Sequence, residues 1–467
     1  MTVDLHDPFA RSAVDLARLV AEGVVSSEEL TRAYLDRIER LNPELHAFVT
    51  VGRRRAIFAA RRRDNARKGL ARLPPFFGVP TGIKDLNFVS GFPTRFGSAG
   101  ARVPFLPFDD ALTRRMRAAG FVIVGKLATS ELGALPITEP ATHAATVTPW
   151  NTGRSAGGSS GGSGAAVAAG LVPIAPGSDG AGSIRIPAAF NGIVGVKPSR
   201  GRVANAFGRP DRTILYTDGP LARSVLDAAH LLDALAGITA GRPSWAPLPE
   251  ASFATLSDDR GARPSRPLRV RVSLSHGLGP TDPDVAAAVG RVADALASLG
   301  HDVSAAPWFD AALETFVPVW QHTMVESRII VSSRKLAPVA AWLRDAGGRI
   351  TAEAAEARKA ELSAAILRWF GDADLWISPT VGTVAPPIGL GRGDDGPAAF
   401  YRCAPLGGFT APFNLSGQPA LSLPVGLDRD GLPIGVQLAG RMYQEGSLLA
   451  VARRLEETFP PRAPHLR

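Results

Sequence analysis

The residue types with most scope for chemistry lie in two Gly- and Ser-rich stretches near the middle of the chain, Gly153 to Gly170 and Gly177 to Pro198. Hydroxyls set among small residues suit attack on a carbonyl, given a base that takes the hydroxyl proton. Other readings compete. Gly/Ser tracts often form flexible linkers, but this one runs directly into Ala165-Ala166-Val167-Ala168-Ala169, a good helix former, and strand-like apolar runs follow it. A Gly-rich turn ahead of a helix can hold a phosphate. The Walker pattern, however, needs Lys and then Ser or Thr after the glycines, and the dinucleotide fingerprint needs a strand directly before them. No such Lys is present, and Thr146 to Arg154 reads as a poor strand. Gly157-Gly158-Ser159-Ser160-Gly161 also fits G-x-S-x-G, the nucleophile turn of α/β-hydrolases. That arrangement needs a later histidine, and His230, His276, His301, His322 and His465 all fall in segments that do not read as a site. An α/β-hydrolase-like esterase stays a rival. The remaining reading is a hydrolytic site without histidine, in which a lysine kept neutral by burial serves as base.

At these residues the chain resembles the amidase-signature family of serine amidohydrolases. The matching blocks are Gly78 to Leu86, which contains Lys84, then Gly157 to Gly170 and Gly177 to Val203. The separations of Lys84, Ser159 and Ser183 are similar to those of the family's lysine, bridging serine and nucleophile. Asp218 to Ala229, Ser378 to Thr380, Thr410 to Pro424 and Gly431 to Gly440 add further similar stretches. The resemblance covers most of the chain and is weakest between residues 240 and 370.

The resemblance implies a single α/β domain over residues 1–467, built on a central twisted mixed β-sheet with helices on both faces. Its parts would be a helical segment 1–70, a signature core 77–235, a more variable helix-rich part 240–370, and strands with a closing helix in 371–467. It implies Ser183 as nucleophile, Ser159 as a bridge carried on a cis peptide after Gly158, and Lys84 as the neutral base. The backbone of Gly180, Ala181, Gly182 and Ser183 would then offer N–H groups to the oxyanion. Asp179, Arg185 and Ser160 would hold that loop from behind, the plainer alternative for Asp179 and Arg185 being a surface ion pair. No His or Cys cluster has metal-ligand spacing, so no metal or cofactor is expected.

The substrate is less legible. Ammonia-supplying subunits of transfer-RNA amidotransferases usually carry Asp-Thr-Gly-Gly-Ser, where this chain has Asp179-Gly180-Ala181-Gly182-Ser183. The form here is more similar to stand-alone amidases that take hydrophobic, aryl or oligomeric amides. Phe88, Phe96, Leu132, Gly133, Trp150 and Phe190 are the expected substrate-contacting residues, with Phe92, Leu135 and Trp320 as further candidate walls. Such walls favour a small-molecule amide or carbamate with a bulky apolar group. The glutamine-hydrolysing subunit remains the alternative.

Elements must position these residues. Apolar spacing predicts helices over Ser12 to Glu22, from Ser26 to Asn42-Pro43, and over 52–68. Short strands are expected at Phe121 to Val124, Leu171 to Ala175, Ile193 to Val196, Leu268 to Leu274, Leu375 to Ser378, Ala420 to Val425 and Ile434 to Leu438. Helices at Asp109 to Ala119, Ser163 to Ala169, Arg223 to Leu235 and Asp282 to Leu299 alternate with them, which is the α/β pattern. Pro243 to Pro267 reads as a surface loop or an insertion between halves of one domain. The 467 residues are 45% hydrophobic and 20% charged, an ordinary globular balance. The net charge of +9 is spread along the chain, so a solvated surface is expected rather than a nucleic-acid partner. No apolar run is long enough for a membrane span, and the N-terminus does not read as a secretory signal. With a lone Cys403, a cytoplasmic monomer or homodimer is expected.

Overall fold

The N-terminal helices begin and end on local signals. In the computed structural model, which describes residues 7–101, 106–204, 215–237, 246–258, 266–310, 313–326 and 329–464, Ser12 caps helix Ala13–Glu22 and Gly23 closes it at φ 76°. Glycine takes that left-handed position without a Cβ clash. Ser26 and Glu29 form the expected capping box of helix Ser27–Leu45, which continues through Pro43 and stops at His46. His465 and positions 243–245 and 259–265 of the Pro243–Pro267 stretch lie outside the described residues.

Strands β1 (Phe48–Val51), β2 (Pro80–Lys84) and β3 (Val122–Leu127) make a small sheet in the order β1-β3-β2. Thr146 to Arg154, which reads as a poor strand, folds largely as a hairpin of β4 (Val147–Thr148) and β5 (Asn151–Ser155). Its own antiparallel pairing stabilises it, outside either larger sheet. The main sheet holds β6 (Ile174–Asp179), β7 (Val194–Lys197), β8 (Thr217–Ala222), β9 (Arg269–Val272), β10 (Asp302–Ala305), β11 (Leu375–Pro379), β12 (Ala420–Leu427) and β13 (Pro433–Gly440). Its eight strands run in the order β10-β9-β11-β13-β12-β7-β8-β6. Strands β10, β9 and β11 are parallel and the remaining pairs antiparallel, so the sheet is mixed. The β6 strand starts later than the expected Leu171, at Ile174, where it pairs with Ala222 at the end of β8.

Neighbouring residues of β6 and β8 feed different cores, as the period of two in a strand requires. Ile174 and Ala222 join a cluster with Leu232, Val289 and Leu449 from helices Val225–Leu235, Pro283–Ser298 and Glu445–Thr458. Ala175 and Leu221 join another with Ala165 and Ala188 from helices Gly161–Ala168 and Arg185–Asn191. The small sheet docks on the large one through Thr81, whose Oγ1 donates to the Ile174 carbonyl at 2.8 Å. That contact brings the end of β2, and with it Lys84, beside β6. Among the described residues no helix is long and apolar enough to cross a membrane.

Candidate active site

Lys84 is the last residue of β2 and its side chain is fully buried. Its Nζ lies 2.8 Å from Ser159 Oγ, 2.8 Å from Ser160 Oγ and 2.9 Å from Ser178 Oγ. The ammonium is thus caged by hydroxyls, with no carboxylate in ion-pair contact among the described residues. Burial lowers its pKa to about 7, against the opposing pull of the Asp218 and Asp179 charges. A lysine that sheds its proton near neutrality can act as a base.

The turn that presents Ser159 is held by Thr138. Its Oγ1 donates to the Gly157 carbonyl at 2.8 Å and accepts the Gly161 amide at 3.1 Å. The Gly158–Ser159 peptide within the turn is cis. Ser160 starts helix Gly161–Ala168, donates to the Ser178 carbonyl, and through its amide holds the Ser183 carbonyl at 3.2 Å. It touches Lys84 directly instead of supporting the loop from a distance. Ser178 has no part in the sequence reading. Its position one residue before Asp179 in an otherwise apolar strand was the available signal.

Ser183 sits in the turn between β6 and helix Arg185–Asn191, and it is 7% exposed. The turn is built around Asp179 and Arg185, which form an ion pair at 2.9 Å with both side chains fully buried. A surface pair is therefore the wrong description. Burial opposes the Asp179 charge, but the Arg185 guanidinium overcomes it and holds the carboxyl well below the usual range. Asp179 also accepts the amides of Gly182 at 2.7 Å and Ile184 at 3.2 Å. The Gly182 N–H is thereby committed to Asp179, which removes it from the expected oxyanion set. The N–H groups of Gly180, Ala181 and Ser183 carry no hydrogen bond among the described residues. Gly182 has φ 126°, and a Cβ there would stand 2.2 Å from Thr410 Oγ1. Glycine is required on both counts.

Three residues from the C-terminal part complete this support. Asn414 accepts from Arg185 and donates to Asp179, Gln437 accepts from Arg185 at 2.7 Å, and Thr410 Oγ1 bonds the Ala181 carbonyl. Their stretches were legible as similar blocks, without roles.

Two cavities meet at Ser183. The outer one, about 570 Å³, is lined by Ala181, Leu135, Trp308, Phe309, Phe316 and Phe400 among others. The inner one, about 100 Å³, is lined by Phe96, Leu132, Ser159, Ser178, Asp218 and Met324 among others. Gly133, Ser183 and Trp320 border both. Phe96 and Leu132 hold left-handed backbone at φ 55° and 53°, an uncommon state for bulky residues that concentrates at functional sites.

Three expected pocket residues lie elsewhere. Phe190 is buried in a core cluster with Ile186 and Val381, on a helix enclosed all round. Trp150 donates its Nε1–H to the Asn191 carbonyl at 2.9 Å and lines neither cavity. Phe88 packs edge-on behind Phe96, with ring centroids 6.0 Å apart. Phe92 is likewise core. His276, in a segment that does not read as a site, does line the outer cavity. No histidine bonds Ser159, whose partner is Lys84, so the α/β-hydrolase arrangement is absent from the described residues. Nor do any three His, Cys, Asp or Glu among them group to hold a metal.

The family model described as Amidase matches residues 29–449. The 6-aminohexanoate-cyclic-dimer hydrolase of Paenarthrobacter ureafaciens is 38% identical, with 96% of this chain and 95% of that protein covered. A solved structure of 6-aminohexanoate cyclic dimer hydrolase complexed with substrate superposes with a TM-score of 0.86 at 34% identity, covering 98% of this chain and 99% of that one. The native peptide amidase from Stenotrophomonas maltophilia is similar at a TM-score of 0.79 and 27% identity, covering 98% and 99%.

Proposed function

The chain belongs to the amidase-signature family and is an amide hydrolase; we propose that it works through an acyl-enzyme on Ser183, with Ser159 and Lys84 moving the proton. The observation that carries this reading is the cage of Lys84. A buried amine, with a pKa brought down to about 7, lies 2.8 Å from the Ser159 hydroxyl, and Ser183 borders the same cavity.

As Ser183 Oγ forms a bond to the carbonyl carbon, its proton passes to Ser159 and the Ser159 proton to Lys84. The oxygen of the tetrahedral intermediate takes hydrogen bonds from the free amides near Gly180, Ala181 and Ser183. Each such donor is worth roughly 10²–10³ in rate in other hydrolases. The intermediate collapses by breaking the C–N bond, and the relay returns its proton to the leaving nitrogen. Water then attacks the Ser183 ester through the same relay and releases the carboxylic acid. Because the relay must start from neutral Lys84, kcat/KM should rise as pH increases through about 7 and level off above it.

The aromatic outer cavity supports a bulky apolar substrate over glutamine. One relative is named as a hydrolase of the 6-aminohexanoate cyclic dimer and another as a peptide amidase, which supports a small-molecule amidase. Carbamates present the same carbonyl and belong in the test. The purified chain should be assayed on an apolar acylamide, an aryl carbamate, a nitrophenyl ester and glutamine, beside Ser183→Ala. Turnover of the apolar substrates, lost in Ser183→Ala, is the expected result. Activity on glutamine alone would move the reading to an amidotransferase subunit.

A further inference from the structure

The two cavities differ in which parts of the machinery they touch. Ser159 and Gly180 border only the inner chamber, whereas Ala181 borders only the outer one. The inner chamber also holds an acid with no role so far. Asp218 lies on β8 directly opposite Ser178 on β6, so both side chains leave the same face of the sheet beside Lys84. It is 3% exposed, and its Oδ2 has no hydrogen-bond partner among the described residues. Native proteins rarely leave a buried acceptor unmatched, because its lost hydration is not replaced.

A geometric constraint gives the chambers their sides. In the acyl-enzyme reading, on which this inference rests, the leaving nitrogen collects its proton from Ser159. It must therefore stand on the inner side, with the acyl group outward among the aromatic walls. We propose that the inner chamber is the leaving-amine subsite, that Asp218 accepts an N–H of that amine, and that the substrates join a bulky acyl group to ammonia or a short alkylamine. The chamber's 100 Å³ is smaller than the roughly 150 Å³ cavity known to take benzene, so an anilide does not fit amine-side inward. Burial raises the Asp218 pKa to about 7, with the Asp110 charge adding to it and Lys84 opposing it. Above neutrality the group is an acceptor-only carboxylate. Gly133 sits at the junction, where a Cβ would lie 3.5 Å from Ser159 Oγ.

The test uses one bulky acid as its primary amide, N-methyl amide, anilide and methyl ester, with the native protein, Asp218→Asn and Asp218→Leu. The ester matters because it has no N–H to donate. Asp218 also acts on the Lys84 charge, and amide cleavage leans on the relay more than ester cleavage does. The ratio is therefore read above the acid limb, where Lys84 is neutral in every variant, and the position of that limb reports any effect on Lys84 separately. The native enzyme should cleave the two small amides faster than the anilide, although aniline is the better leaving group. Both variants should lower the ratio of amide to ester kcat/KM about 10- to 100-fold, as expected for a hydrogen bond to a charged group. An unchanged ratio, or an equal fall on both substrates, makes Asp218 structural and overturns the proposal. An anilide cleaved as well as the primary amide overturns it without any variant. Failure of the acyl-enzyme reading shows separately, as turnover kept by Ser183→Ala.

Discussion

Two lysines on adjacent strands of the small sheet are buried equally and differ in everything else. Lys84 ends β2 and Lys126 lies in β3, opposite Ile83, and both are fully inaccessible. Lys126 is 2.9 Å from the Asp85 carboxylate and donates to the Asn87 carbonyl and Thr94 hydroxyl at 2.8 Å each. Lys84 meets the three hydroxyls of Ser159, Ser160 and Ser178. Burial lowers the pKa of each, but at Lys126 the Asp85 charge and hydrogen bond oppose the shift. A carboxylate can only accept, so it fixes a proton on its partner. A hydroxyl accepts from an ammonium, donates to an amine, and passes a proton onward. Burial supplies a low-dielectric site for either lysine, and the partner decides whether its proton can be passed on or is held in place.

The comparison breaks first on activity. Lys84→Ala should lower kcat/KM about 10³- to 10⁴-fold, the upper range for an acid–base group, measured on an apolar acylamide. Lys126→Met should leave the chemistry in place and instead destabilise the fold. It strands the Asp85 carboxylate in the interior, at a cost of about 3–5 kcal/mol in urea unfolding. Lys84→Met should behave oppositely in the same experiment. The folded pKa of about 7 lies below the unfolded value near 10.4. Between them the unfolded chain binds a proton that the native one does not, so native stability falls as pH drops from about 10 to about 7. The advantage of Lys84→Met should therefore grow over that window and stay constant below it.

Smaller effects sharpen the contrast. The acid limb of kcat/KM should fall about tenfold per pH unit below about 7. Ser178→Ala removes one hydroxyl of the Lys84 cage and should cost about 0.5–1.5 kcal/mol in transition-state stabilisation, a few-fold to tenfold loss of kcat/KM. The corresponding Thr94→Ala beside Lys126 should leave kcat/KM alone.

Much of this site was legible because its parts are short ordered blocks. Lys84, Ser159 and Ser183 stand in matching stretches, and the N-terminal helices carry their own caps. The Lys84 cage was only half visible, since Ser178 reaches it through the docking of β2 on β6. Asn414 and Gln437 hold Arg185 across about half the chain, a contact that no local pattern encodes. Aromatics beside the motifs misled: Trp150 just precedes one matching block and Phe190 lies within another, but they pack against backbone or inward. The outer cavity takes Trp308, Phe309, Phe316 and Trp320 from residues 240–370, where the family resemblance is weakest. The machinery was therefore more readable than the pocket, because one motif must sit in one geometry while an apolar wall can be built from many segments.

The central claim is that Ser183 is the nucleophile activated through Ser159 and Lys84. Its most direct test is labelling with a small aryl fluorophosphonate, followed by intact-mass measurement and peptide mapping. The account predicts a single adduct on the peptide containing Ser183, absent in Ser183→Ala and much slower to form in Lys84→Ala. An adduct on Ser159, or labelling undiminished in Ser183→Ala, would contradict it.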